Sequence, residues 1–120
     1  MHVVKLKDCP EFLAGDHTLL RELLHPGKAT VALGFSLAHG LIKPGAKSKR
    51  HRLASSEVYY FLAGKGRFRI DQESADIEAG SVVYVPPKGQ QWVENTGTAN
   101  LEFLCLVDPA WKPEDETVTE

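Results

Sequence analysis

No stretch of this chain approaches the roughly 20 consecutive apolar residues that cross a bilayer as a helix. The opening residues, Met1-His2-Val3-Val4-Lys5-Leu6-Lys7, lack the apolar centre of a secretory signal, so a cytoplasmic location is expected. An excess of charge is also missing. With 14 Lys and Arg against 16 Asp and Glu the net charge is -2, which offers no basic stripe for nucleic acid and no basic face for an anionic membrane. Cysteine is scarce: Cys9 precedes a proline in a loop-like stretch and Cys105 lies in the apolar run Leu101–Val107. Nothing in their spacing pairs them, so no disulfide is expected. Internal repeats and low-complexity segments are absent, and the middle of the chain shows no convincing helical periodicity.

What remains is the composition of a single soluble globular domain: 120 residues, 42% hydrophobic and 25% charged. A short strand is expected around Val3–Leu6, then a loop through Pro10 and Gly15. Asp16 to Leu24 reads two ways. Leu19, Leu20, Leu23 and Leu24 have helical spacing, with Asp16 as N-cap and His25-Pro26-Gly27 as the stop, yet the same residues alternate passably as a strand. From Thr30 the period is two: Val31, Leu33, Phe35, Leu37, His39 and Leu41 share a bulky face, against Ala32, Gly34, Ser36, Ala38 and Gly40. Further on, Gly64-Lys65-Gly66 reads as a turn that brings Arg67–Asp71 back as a hairpin partner. Shorter strands follow at Ala75–Glu78, Ser81–Val85 and Gln90–Asn95, and an apolar one ends at Val107. Short strands at near-regular spacing predict an antiparallel sandwich or barrel. The last residues, Pro109 to Glu120, are acidic and proline-bearing, which predicts a partly ordered tail anchored only by Trp111.

The centre of the chain is His51-Arg52-Leu53-Ala54-Ser55-Ser56-Glu57-Val58-Tyr59-Tyr60-Phe61-Leu62-Ala63-Gly64. His51 and Glu57 are separated by an even number of positions, so both fall on one face of an extended strand. Gly45 lies upstream, and a second block runs from Gly80 through Pro86-Pro87 to Gln91-Trp92-Val93-Glu94-Asn95. The two blocks resemble the paired signature motifs of the cupin family. Gly45, His51, Glu57 and Gly64 match the first motif, and Gly80, Pro86 and Asn95 match the second. Leu53, Lys88 and Gln91 depart from it, standing where the family has a second histidine, a glycine and a third histidine.

The resemblance covers roughly residues 30–107. It implies an all-β fold, the antiparallel double-stranded β-helix or jelly-roll barrel, and it favours a strand over Asp16–Leu24. Residues 1–29 would be an N-terminal arm or strand packing on the barrel, 30–108 the barrel, and 109–120 the acidic tail. It also implies a divalent metal ion such as Mn, Fe, Ni or Zn, held by His51, Glu57 and the amide oxygen of Gln91. His39 is the candidate for a further donor, since it shares the bulky face of its strand. The alternative for His39 is a hydrogen-bonded core histidine. Glu57, if it faces an apolar interior, needs a cationic partner of some kind.

Tyr59, Phe61 and Leu53 are expected to line a pocket, and Lys49, Arg50 and Arg52 to form a basic rim that favours a small carboxylate or phosphate. The alternative for the rim is a solvated loop. Val58, Tyr60 and Leu62 are apolar on the opposite face of the same strand, so a homodimer or the N-terminal segment is expected to cover them. Two functions follow. One is a metal-binding cupin with isomerase-, decarboxylase- or dioxygenase-like chemistry on a small anion; small cupins of this kind are often described as mannose-6-phosphate isomerase-like. The other is a ligand-binding cupin without a functional metal site.

Overall fold

Alternating burial runs through most of the chain, and the computed structural model, which describes all 120 residues, resolves it into eleven short strands. They are β1 (Glu11–Leu13), β2 (Leu19–Leu24), β3 (Ser36–Ile42), β4 (His51–Leu53), β5 (Ser56–Ala63), β6 (Lys65–Ile70), β7 (Glu73–Glu78), β8 (Val82–Val85), β9 (Gln91–Asn95), β10 (Leu101–Asp108) and β11 (Glu116–Val118). Two antiparallel sheets form a jelly roll. One has the order β1-β2-β3-β10-β5-β8 and the other β11-β4-β9-β6-β7.

The core lies where the inner faces meet. Tyr59 and Phe61 of β5 and Phe103 of β10 pack against Phe68 of β6, Ile77 of β7 and Val93 of β9. The Tyr59 ring meets Phe68 edge-on at 4.9 Å between centroids and Phe103 at 5.3 Å. Each such pair adds about 0.5–1.5 kcal/mol to the burial of its rings. No helix is long and apolar enough to cross a membrane. Both cysteines are free and buried.

Several elements differ from the sequence expectations. Asp16–Leu24 resolves as the strand β2, because its leucines pair with β3 and bury more apolar area there than a lone short helix would. The expected strand at Val3–Leu6 is instead extended chain entering one short 3-10 turn at Leu6–Asp8. The strand read from Thr30 begins at Ser36. The turn at Gly64 closes no hairpin: it carries the chain from β5 in one sheet to β6 in the other. Gly64 has φ +91°, and a Cβ there would lie 2.6 Å from the Asn100 carbonyl oxygen, so only glycine passes. The C-terminal stretch is not anchored by Trp111 alone, since β11 pairs with β4 and Glu120 accepts from the Arg50 backbone N–H at 2.8 Å.

The orientation of β3 is opposite to the expectation. Registered against β10, its Ser36, Ala38, Gly40 and Ile42 face inward, opposite Val107, Cys105, Phe103 and Leu101. The bulky residues Leu37, His39 and Leu41 face outward. The cause is volume: the Phe103 ring lies over Gly40, where a Cβ would come within 2.4 Å of it. Residues 6–9 close over part of that outer face, where Arg21 donates to the carbonyl of Cys9 at 2.8 Å. Gly40→Ala is therefore expected to cost about 1–3 kcal/mol by overpacking, read as a shift in the urea midpoint, and Phe103→Leu in the same chain to recover part of it. An unchanged midpoint in the single variant would show that the ring is not the obstacle.

Candidate functional site

Beside the aromatic core, the space between the sheets opens into a cavity of about 340 Å³. Of its 21 lining residues 12 are hydrophobic, so it suits a molecule with an apolar body. Leu20, Leu53, Phe103 and Val107 supply apolar wall, and Asp16, His51, Glu57 and Glu116 supply ionisable groups. The last four come from the β1–β2 turn, β4, β5 and β11 respectively.

His51 is 3% exposed. Its Nδ1 lies 2.8 Å from the Lys49 carbonyl, an acceptor, so that nitrogen carries the proton and donates. Nε2 is then directed toward the Asp16 carboxylate, with Oδ2 at 3.5 Å. Asp16 is held in turn by Thr18, whose backbone N–H donates to Oδ1 at 3.1 Å and whose hydroxyl bonds the same oxygen. The Lys49 N–H donates to the Asp16 carbonyl at 2.7 Å, which ties the β1–β2 turn to the start of β4.

Glu57 faces His51 from the other sheet. Gln91, registered opposite His51, donates from Nε2 to Glu57 Oε1 at 2.8 Å and accepts from the Tyr59 hydroxyl at 2.8 Å. The Tyr59 hydroxyl is directed at Gln91 and lies close enough to Glu57 to ease its charge as well. Burial pushes the Glu57 carboxyl from near 4.5 up to about 7, with the neighbouring His51 opposing the rise. Burial likewise raises the Cys105 thiol and the Tyr59 phenol well above their usual ranges, and Glu57 adds to both. The Glu116 carboxyl is raised by burial, against the pull of His51.

The structure thus brings His51, Glu57, Gln91, Tyr59 and Leu53 to one region, and it moves the other candidates elsewhere. His39 lies on the outer face of β3, where Nε2 is 2.6 Å from Glu102 Oε1, so it cannot reach the cavity. Phe61 is fully buried one layer behind, stacked on Tyr59 at 5.9 Å, and is not part of the lining. Lys49, Arg50 and Arg52 form no rim to it. Arg52 alternates outward from His51 and donates to Gln90 at 3.0 Å, while Arg50 lies over Trp92 and bonds Glu120. Lys49 contributes backbone only. Asp16 and Glu116 lie outside both motifs, so the motifs give no sign of their place in the cavity. The one local signal was the Asp16-His17-Thr18 turn, which a helix N-cap reading absorbs.

The donor set does not fit a resident divalent metal. No group of three or more His, Cys, Asp or Glu side chains is placed to hold one. Both ends of the Gln91 amide are committed to protein partners. Leu53 has no donor atom, and His39 faces the other way.

Three similarities bear on what this arrangement is. An uncharacterized protein of Methanocaldococcus jannaschii is 34% identical over 110 residues, covering 91% of this chain and 87% of its own. An oxalate-binding protein of Thermotoga maritima is 32% identical over 92 residues, covering 76% and 71%. The crystal structure of a predicted oxalate decarboxylase from Thermotoga maritima superposes with a TM-score of 0.79 at 23% identity, covering 90% of this chain and 99% of the other; at that identity the likeness is one of fold. The Cupin domain family matches residues 38–107, which includes His51, Glu57, Gln91 and the inner faces of β5 and β10, and on that match the chain belongs to the cupin family.

Proposed function

We propose that this cupin binds a small organic molecule in the cavity between its sheets and does so without a resident metal. The observation that carries the reading is the Gln91 amide: its nitrogen, which cannot coordinate, donates to Glu57, and its oxygen, a weak neutral ligand, is already oriented by the Tyr59 hydroxyl. Isomerase-, decarboxylase- and dioxygenase-like chemistry through a Lewis-acid metal has no support in such a donor set. A largely apolar wall with a few ionisable groups at one end is what binding sites for compact organic molecules look like. A second reading, that the ligand is a small carboxylate, is favoured by the identity to an oxalate-binding protein. Its cationic partners inside this cavity would be His51 and Lys28.

Assembly belongs to the same proposal. Tyr60 and Leu62 of β5 and Val82 and Tyr84 of β8 are 45%, 41%, 63% and 59% exposed. β8 is a sheet edge that carries no charge and no proline, the devices that normally blunt an edge. A second copy of this chain pairing there covers both the edge and the apolar face.

Metal analysis of untagged protein by inductively coupled plasma mass spectrometry should find far less than one metal per chain, with no change in His51→Ala. Near-stoichiometric metal lost in that variant would overturn the reading. Stability should also depend on pH in a particular direction. Below about pH 4.5 Glu57 is protonated folded and unfolded. Between there and about 7 the unfolded chain has released this proton while the native state retains it, so stability falls as pH rises. A shift of this size corresponds to about 3 kcal/mol. Urea midpoints from pH 5 to pH 8 should show Glu57→Gln gaining a large part of that amount on the wild type; a resident metal would hold the carboxyl ionised and remove the difference. Light scattering at micromolar concentration should report a dimer, and Val82→Glu a monomer. A monomeric wild type rules out the pairing.

A further inference from the structure

Lys49, Arg50 and Arg52 do not line the cavity, and the charges that do are unbalanced. Asp16, Glu22, Glu57 and Glu116 stand against Lys28 and His51. Lys28 is taken by Glu22 at 2.8 Å, and His51 Nε2 lies 3.5 Å from Asp16. Glu57 and Glu116 enter no ion pair with any lysine, arginine or histidine.

Glu57 is the sharper of the two. It is only 6% exposed, and its Oε1 is taken by Gln91. Its carboxylate also has the Tyr59 hydroxyl, shared with Gln91, and the weakly donating Cys105 thiol beside it, but no lysine, arginine or histidine within ion-pair distance. No fully enclosed side-chain oxygen or nitrogen in the chain lacks a partner, and Glu57 is one of the residues that line the cavity. A buried carboxylate without its own ion-pair partner costs several kcal/mol, and His51, the cationic neighbour that eases Glu57, is already matched to Asp16. A cation brought by the ligand removes that cost, whereas an anion adds to it.

We propose that the ligand presents a positively charged end, a small organic ammonium on an apolar body, to Glu57 and Glu116. This rests on the binding reading above and names the ligand class. The ammonium donates to Glu57 Oε2 and to the Glu116 carboxylate, while Asp16 remains matched to His51. Tyr59, Phe103 and Trp111 also line the cavity, and aromatic faces attract cations further. At about 30 Å³ for each non-hydrogen atom, about 340 Å³ has space for roughly ten such atoms. The apolar body is therefore a single ring or a short branched chain. Specificity resides in the two carboxylates, and Glu116 reaches the cavity only because β11 is paired onto β4.

The test is isothermal titration of the full chain at pH 7.5 with three probes of nearly equal shape: cyclohexylmethylamine, cyclohexylmethanol and cyclohexane carboxylate. The amine is expected to bind at least about tenfold tighter than the alcohol, and the carboxylate most weakly. Glu57→Gln should bring the amine down to the affinity of the alcohol, and Glu116→Gln should lower it by a smaller factor; circular dichroism reports whether each variant is folded. A carboxylate preference, or equal affinity for all three probes, overturns the charge assignment and leaves the binding reading standing. Stoichiometric manganese or zinc uptake that excludes the amine also overturns it, because the missing counter-charge is then a metal. No binding of any probe, in a folded chain, removes the binding reading itself.

Discussion

Much of this structure depends on one buried hydrogen-bonded chain, Tyr59 hydroxyl to Gln91 oxygen and Gln91 nitrogen to Glu57. It crosses from one sheet to the other and lets a carboxyl group sit 6% exposed in an otherwise apolar layer. The amide is neutral, so it orients Glu57 without neutralising it. Desolvation therefore dominates, and the carboxyl titrates near 7 although His51 is close by. Position 91 is where the family pattern has a histidine; glutamine there joins Tyr59 to Glu57 by hydrogen bonds.

A second constraint is space. The inner face of β3 is Ser36, Ala38 and Gly40 because the Phe103 ring needs the volume in front of Gly40, and the cavity lies beside Ser36 and Ala38. The same small residues make the outward face of β3 the bulky one, and that places His39 against Glu102 on the far side of the sheet. Packing of one aromatic ring thus decides which histidine belongs to the site. His51 does, held by the carbonyl of Lys49, and His39 does not.

The third feature is closure by segments far from the motifs. Asp16 comes from the β1–β2 turn and Glu116 from the last strand, and each stands near His51 because backbone pairing carries it there. The charge of the cavity is set by these two as much as by Glu57. An acidic interior lies under an exterior on which Arg50, Arg52 and Arg69 are spread around Gln90 and Trp92.

Local pattern was enough to determine the class of fold and part of the site. Period-two alternation, glycine and proline punctuation and two spaced blocks place His51 and Glu57 on one inward face, and both do face the cavity. Alternation says that a strand has two faces, however, and not which one is inside. For β3 the choice depends on the volume of Phe103, more than sixty residues away, which alternation does not contain. At Gly64 turn chemistry specifies a bend but not which sheet receives the next strand, and here that is the opposite sheet. Asp16 and Glu116 were out of reach, since charges separated by a hundred residues meet only through long-range strand pairing. The sequence by itself determined a β-barrel with a histidine and a glutamate turned inward; tertiary structure decided their hydrogen-bond partners, which further side chains stand beside them and the sign of the charge around them, because those depend on packing volume and strand register, which no local window contains.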